Sequence, residues 1–150
     1  MASSLTHLIY HIVFSTKNRA ELITTQLKPD LYSYIGGIIR GEGGYLISIG
    51  GQTEHIHILV KFPTAKSVSE MVRRIKGNSS KWAGEQPLHK GLFAWQNGYA
   101  AFSVSQSSVE HVSAYINKQE EHHQKVSFRE ELVSLLKKHG VEYDEKYLLG

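Results

Sequence analysis

The segment TEHIHILVKFP, residues 53–63, places two histidines one residue apart in an otherwise apolar run. On a β-strand, residues i and i+2 point to the same face, so His55 and His57 share one face. The opposite face, which suits a hydrophobic core, then holds Ile56, Ile58 and Val60. Two imidazoles about 7 Å apart, from the rise of roughly 3.3 Å per residue, can converge on one divalent ion. They equally suit two partly buried histidines bonded to backbone, and a metal site needs a third ligand from elsewhere.

A second group of polar side chains lies in SSVEHVSAYINKQEEHH, residues 107–123. At helical spacing Tyr115 and Gln119 lie on one face, with His111 and His122 about one turn before and after them. The opposing stripe is apolar and consists of Val109, Val112 and Ile116. A purely structural amphipathic helix also has a polar face, but that reading does not account for a tyrosine and an amide in its middle.

Together these residue types indicate phosphodiester chemistry. A divalent ion held by two histidines and a side-chain oxygen keeps open positions for a phosphate, whose developing charge it stabilises. A tyrosine hydroxyl one turn from such a ligand can attack phosphorus and form a covalent phosphotyrosine. Because the ordinary pKa of a phenol is about 10, the tyrosine needs a proton acceptor, and the sequence does not identify one.

The elements that position these residues can be predicted from the apolar patterns. Residues 7–17 form a central strand, apolar on both faces, and an amphipathic helix follows from about Leu27 to Arg40. Residues 44–63 form two strands joined by a tight turn near Gly50-Gly51, and Pro63 ends the second strand. A helix begins after Ser67, residues 83–98 form a loop, and residues 99–105 form a short strand.

Serine and glutamate three residues apart form a capping-box pattern at three predicted helix starts. The pairs are Ser67 with Glu70, Ser107 with Glu110, and Ser127 with Glu130. We therefore predict one domain over residues 1–150, with the tyrosine-bearing helix near 108–123 and a C-terminal helix near 128–139. The order β-α-β-β-α-β with additional C-terminal helices predicts an α+β, ferredoxin-like or RRM-like antiparallel sheet with two helices on one face.

The composition sets broad limits on the class of protein. The 150 residues are 41% hydrophobic, and no apolar run approaches the roughly 20 residues needed to cross a bilayer. The chain contains no cysteine, which excludes disulfides and thiolate metal sites. With no signal-peptide pattern at the N-terminus, we expect a cytoplasmic protein without a membrane partner. The net charge of +3 is compatible with a nucleic-acid partner but does not require one.

The motifs resemble a known family. EHIHILV resembles the HUH motif, histidine-hydrophobic-histidine, of single-strand DNA nucleases and transposases. AYINKQEEHH resembles the tyrosine helix of the single-tyrosine HUH transposases of bacterial insertion sequences, the IS200-like transposases. In that family a glutamine four residues after the catalytic tyrosine completes the metal site, and Tyr115 and Gln119 match that spacing. The resemblance extends from about Leu5 to Leu148.

The resemblance implies an activity, a cofactor and partners. Tyr115 would be the catalytic nucleophile, and His55, His57 and Gln119 would hold Mg²⁺ or Mn²⁺. The family cuts single-stranded DNA at element ends that carry hairpins, through a 5′-phosphotyrosine, and rejoins the strands without a nucleotide cofactor. It works as a homodimer, in which the tyrosine of one protomer commonly completes the site of the other.

Basic residues in two segments are candidate DNA contacts. The first segment leaves the first predicted strand, and the second lies on or just after the second predicted helix. A solvated basic helix face is the structural alternative, whereas phosphate contacts would make binding strongly salt-dependent. The candidates are Lys17, Arg19, Arg73, Arg74, Lys76 and Lys81.

Three alternatives to a mobile-element transposase stay open at the level of the sequence. A domesticated relative that acts on repeated extragenic hairpins would use the same residues. A non-catalytic single-strand binder would use the sheet of an RRM-like fold, but the exposed aromatic pattern of such sheets is not found, and Tyr115 with Gln119 would have no role. A replication initiator or relaxase shares the HUH chemistry, but the tyrosine helix resembles those proteins less.

Overall fold

A four-stranded antiparallel sheet organises the computed structural model, which describes residues 4–87, 89, 91–122 and 125–148. The strands are β1 (Ile9–Ser15), β2 (Tyr45–Gly51), β3 (His55–Lys61) and β4 (Ala100–Ser103). Their spatial order is β2-β3-β1-β4, so β1 and β3 are the central pair. This order, with helices between the first and second and between the third and fourth strands, is that of the split βαβ unit. The predicted α+β ferredoxin-like fold is confirmed.

The first face of the sheet is covered by α1 (Lys28–Gly41) and α2 (Val68–Gly84). The main hydrophobic core lies between these two helices and the sheet, and it includes Ile12, Phe14, Ile56, Ile58 and Val60. The alternation on the third predicted strand correctly places Ile56, Ile58 and Val60 in this core. The predicted cap of α2 forms, since the Glu70 N–H donates to Ser67 Oγ at 3.1 Å. Within the described ranges, no helix is long and apolar enough to cross a membrane.

The second face of the sheet is covered by α3 (Val109–Asn117), α4 (Gln119–His122) and α5 (Phe128–Lys138). Because side chains alternate along a strand, β1 and β3 direct His11, His55 and His57 towards this face. All three rings are buried. Leu59 packs with Ile116 of α3, and two smaller apolar clusters flank the histidines. The face that would bind bases in an RRM is therefore an interior surface here.

The tyrosine-bearing helix differs from the prediction of one helix over 108–123. A 3₁₀ turn occupies Gln106–Ser108, α3 starts at Val109, and the chain leaves helical geometry at Lys118 before α4 begins. The predicted capping box at Ser107 does not form: the N-cap residue of α3 is Ser108, and its side chain accepts no hydrogen bond from the backbone of the helix. Residue 123 lies outside the described residues.

The break at Lys118 lies between two hydrogen bonds to the sheet. Ser48 Oγ donates to Asn117 Oδ1 at 3.0 Å, and Gln52 Nε2 donates to the Gln119 carbonyl at 3.0 Å. These contacts hold the chain on both sides of the break. They are tertiary contacts, so the local sequence of the helix does not predict them.

A glycine sets the distance between the tyrosine helix and the sheet. A Cβ added at Gly50 would lie 2.3 Å from the Ile116 carbonyl oxygen of α3, well inside van der Waals contact. The space that a side chain would fill is therefore occupied by the backbone of α3. This close approach places Tyr115, one residue before Ile116, over the buried histidines.

We predict that Gly50→Ala displaces α3 and lowers the free energy of unfolding by about 1–3 kcal/mol, the usual cost of overpacking. Gly77→Ala is the matched control, because Gly77 lies in α2 and a Cβ there meets nothing within 4 Å. In a helix that change should stabilise by about 1 kcal/mol. Urea unfolding of both variants measures the two effects, and a Gly50→Ala protein as stable as the wild type would contradict the prediction.

Candidate active site

The two histidines of β3 point their Nε2 atoms at one carboxylate. His57 Nε2 donates to Glu131 Oε1 of α5 at 2.8 Å, and His55 Nε2 lies 3.5 Å from the same oxygen. The side chain of Glu131 is also buried. The structure thus brings together the two histidines of the HUH-like motif and adds an acidic residue from the last long helix.

The other ring nitrogen of each histidine is held by a protein partner. His55 Nδ1 is hydrogen-bonded to the Glu54 carboxylate, and His57 Nδ1 to His11 Nε2 at 2.7 Å. Burial, with the nearby His57, lowers the pKa of His11 to about 3, so His11 is neutral. Such outer contacts fix the tautomer and ring orientation of metal-binding histidines in proteins.

The protonation of His55 reflects opposing effects. Burial acts to lower the pKa of His55, but hydrogen bonds to Glu131 and Glu54 outweigh burial and give a net upward shift. Both ring nitrogens of His55 face hydrogen-bond acceptors: Glu54 at Nδ1, and Glu131 as the first acceptor at Nε2. The second acceptor at Nε2 is the Gln119 Oε1 atom, at 3.1 Å.

Gln119 lies at the first position of α4 and is buried. Its Oε1 faces His55, while its Nε2 donates to Glu131 Oε2 at 2.9 Å. The hydrogen bond from Gln52 to the Gln119 carbonyl holds the backbone at this point. Both polar ends of the amide therefore have partners within the site, and the orientation of its oxygen towards His55 is defined.

The Tyr115 hydroxyl donates a hydrogen bond to Glu131 Oε2. Burial, followed by the hydrogen bond to this carboxylate, raises the pKa of the Tyr115 phenol above its ordinary value. The Tyr115 ring contacts the His57 ring edge-on, at 5.8 Å between centroids, and the His122 ring at 5.2 Å. His122 Nε2 in turn lies 3.4 Å from Glu131 Oε2.

Sequence reasoning missed Glu131, although a signal for it exists. On α5 the buried positions are Phe128, Glu131, Leu132 and Leu136, which follow helical spacing. An acidic residue within an apolar stripe has to be paired when it is buried. The two carboxylate oxygens of Glu131 face different groups. Oε1 faces the two histidines, and Oε2 faces Tyr115, Gln119 and His122.

The donor set fits a divalent metal ion. Ligand atoms of His55, His57 and Glu131 all lie within 4.8 Å of one another, and the Gln119 oxygen is hydrogen-bonded to one of them. Imidazole suits transition metals, and carboxylate and amide oxygens suit Mg²⁺ and Mn²⁺. The partners at the outer nitrogens of both histidines match those that orient metal-binding histidines in proteins.

Among the candidate DNA contacts, four are exposed. Lys17 and Arg73 lie near the segment 93–99. The backbone N–H of Lys17 donates to the carbonyl of Ala94 in that segment. Arg73 lines a groove between α2 and the same segment. Arg19 lies in the 3₁₀ turn after β1, with a left-handed φ of 54°. Lys81 lies in the last turn of α2.

The other two candidates make contacts within the protein. Lys76 Nζ donates to the carbonyls of Gln96 and Gly98, at 2.6 Å each, and so holds the segment before β4. Arg74 is ion-paired with Glu42 at 3.1 Å. These contacts give Lys76 and Arg74 structural roles.

The model of the family described as "Transposase IS200 like" matches residues 4–119. No curated protein matches the chain significantly. A Deinococcus radiodurans R1 protein assigned as a transposase is similar in fold, with a TM-score of 0.62 and 21% identity over 79% of this chain and 95% of that one.

A second solved structure, a REP-associated tyrosine transposase bound to a REP hairpin, has a TM-score of 0.60. It is 19% identical, over 84% of this chain and 76% of that one. At these identities the two structures show the shared fold. The family match ends at Gln119, so Glu131 and α5 lie beyond it.

We predict that Glu131→Ala lowers the free energy of unfolding by about 3 kcal/mol, because it leaves buried donors on His57, Gln119 and Tyr115 without an acceptor. Glu130→Ala is the matched control on the neighbouring, exposed position of α5 and should change stability by less than about 1 kcal/mol. Thermal and urea unfolding of both variants would test this. A Glu131→Ala protein at least as stable as the wild type would show instead that the buried carboxylate is kept at a cost in stability.

Proposed function

The chain belongs to the IS200-like transposase family, and from this membership we propose that it cuts and rejoins single-stranded DNA through a covalent bond between Tyr115 and a 5′-phosphate. The observation that carries the proposal is the Glu131 carboxylate, which contacts the tyrosine hydroxyl with one oxygen and the two histidines with the other. The Glu131 side chain thus contacts both the proposed nucleophile and the two histidines that could bind a metal ion.

The proposed reaction is a transesterification at phosphorus. The Tyr115 oxygen forms a bond to phosphorus, the bond to the 3′-oxygen breaks, and that oxygen leaves as a 3′-hydroxyl after it takes up a proton from solvent water. The tyrosine proton passes to Glu131, which already accepts its hydrogen bond. Rejoining is the reverse attack by a 3′-hydroxyl, and it needs no nucleotide cofactor because one phosphate ester replaces another.

His55, His57 and Gln119, with Glu131, would hold a divalent ion, Mg²⁺ or Mn²⁺. When bound, the ion supplies stabilisation of the negative charge that develops on the phosphate oxygens. The chain's own contribution is to fix the donors. Glu54 and His11 orient the two rings, and the hydrogen bonds of Gln119 aim its oxygen at His55.

The complete set of proposed catalytic groups lies within one chain, since Tyr115 contacts Glu131 and His57 of the same polypeptide. The family resemblance implies a homodimer with tyrosines that act in the partner's site. We propose instead that the tyrosine acts in its own chain. Pairing of two chains would then bring two DNA ends together without having to complete either site.

Hairpin-bearing DNA is the proposed substrate. The similar REP-associated tyrosine transposase is bound to a REP hairpin, which supports this substrate and also the alternative of a domesticated relative acting on extragenic hairpins. We place the DNA backbone near Lys17, Arg19 and Arg73, with Lys81 further along α2. A base-binding sheet is disfavoured as an alternative function, because α3 and α5 cover the second face of the sheet.

We predict a covalent protein–DNA adduct when the full chain is incubated with Mn²⁺ and labelled single strands from both flanks of its gene. Tyr115→Phe should abolish the labelled band on a denaturing gel, a loss of at least roughly a thousandfold, because the nucleophile is removed. The control is Tyr45→Phe, which changes an exposed tyrosine of β2. An adduct that persists in Tyr115→Phe, or none on any strand that carries a flanking hairpin, would refute the proposed mechanism.

We also predict that the wild-type chain binds Mn²⁺ and that His57→Ala abolishes binding in isothermal titration calorimetry. His11→Ala should weaken binding by about 10–100-fold, the usual effect of removing a partner that orients a metal-binding histidine. His7→Ala, at a histidine bonded to Gln106 away from the site, should bind as the wild type does. Equal affinity in the His57→Ala and His7→Ala proteins would place the metal elsewhere.

A further inference from the structure

A cleft of about 590 Å³ opens directly beside the tyrosine. It lies between α3, α5 and the segment from Ser103 to Ser108 that leaves β4, and Tyr115, Glu131 and His11 line it. Its volume falls in the range of small-molecule sites, which is roughly 300–1,000 Å³. None of the reaction steps above uses this space, although one side of it is formed by the nucleophile.

The walls of the cleft combine apolar surface with aromatic rings. Val104, Val112 and Leu135 supply aliphatic contacts. The Tyr115 and His122 rings, which contact each other, also line the cleft. The planar faces of such rings can stack on a nucleobase, a contact worth about 1–3 kcal/mol per base.

One lysine and several histidines line the cleft. Lys138, His111 and His139 line it and are exposed, and among its described lining residues Glu131 is the only acidic one. The His139 ring is held in place: it stacks on Phe102 at 4.3 Å between centroids, and its Nδ1 donates to a backbone carbonyl of α5. The cleft therefore presents one lysine and the fixed imidazole of His139 to a ligand.

Hydroxyl groups line the remainder of the cleft. Ser103, Ser105, Ser108 and Ser134 contribute them from β4, the 3₁₀ turn and α5. A hydroxyl can both donate and accept a hydrogen bond, so it can satisfy either kind of group on the edge of a base. Apolar walls, aromatic rings, hydroxyls and one lysine are together features that suit a nucleotide.

We propose that this cleft binds a single nucleotide next to the phosphodiester that Tyr115 attacks, with its base unstacked from the strand and read by the cleft. The inference rests on the proposed function for the position of that nucleotide. The volume and lining of the cleft indicate a nucleotide site whether or not Tyr115 cleaves DNA. A base turned out of its strand into a protein pocket is accessible mainly in single-stranded DNA, where little stacking has to be broken.

The test measures binding of the four deoxynucleoside 5′-monophosphates to the full chain by saturation-transfer NMR. At least one should bind, with a preference of about fivefold or more over the weakest. Ser134→Trp, which fills the cleft from an exposed position of α5, should weaken that binding at least tenfold. Ser107→Trp is the matched control, because Ser107 is exposed but does not line the cleft.

A second pair of variants tests recognition of the phosphate. Lys138→Gln should weaken all four nucleotides by a similar factor of several-fold, whereas Lys137→Gln, at the neighbouring exposed position outside the cleft lining, should leave binding unchanged. No binding of any nucleotide, or binding that Ser134→Trp leaves intact, would overturn the inference.

The adduct assay separates this inference from the proposed function. Adduct formation without nucleotide binding in the cleft would retain the tyrosine mechanism and reject the nucleotide site. Nucleotide binding that Ser134→Trp removes, in a chain that forms no adduct, would retain the site and reject the mechanism. Where both hold, an abasic position on one side of the mapped cleavage point should reduce the adduct yield at least fivefold, and an equal yield at both neighbouring positions would overturn the placement of the base.

Discussion

The second face of the sheet depends on one buried carboxylate, that of Glu131. A carboxylate removed from water costs several kcal/mol unless donors replace the lost hydration. Here the donors come from three different elements: His57 of β3, Tyr115 of α3 and Gln119 of α4. The position of α5 relative to the sheet and to the tyrosine helix is therefore set by a polar requirement, with the apolar contacts of Leu132 and Leu136 as support.

The two faces of the sheet have different roles: one is packed with apolar side chains, and the other holds the candidate active site. The face under α1 and α2 is almost wholly apolar, with fully buried residues such as Phe14, Ile56 and Ile58. The other face holds His11, His55 and His57, none of which contributes much to a hydrophobic core. The apolar face thus supplies most of the folding free energy, and this leaves the opposite face able to carry buried polar groups.

The sequence predicts those parts of the site that depend on local order. Strand alternation places His55 and His57 on one face, and helical spacing places Tyr115 and Gln119 together. The N-caps at Ser67 and Ser127 form as the local pattern indicates. Other features depend on contacts between residues far apart in the chain. They are the break at Lys118, the hydrogen bond between His11 and His57, and the carbonyl contacts of Lys76. No local pattern encodes such contacts, so they require the fold.

The break at Lys118 separates the helix that carries Tyr115 from the helix that carries Gln119. In a continuous helix Tyr115 and Gln119 would be related by a fixed rotation, and a single helix would set both side chains. With the break at Lys118, α3 is positioned by its close approach to Gly50 and α4 by Gln52. The tyrosine and the glutamine are thus placed by separate contacts with the sheet.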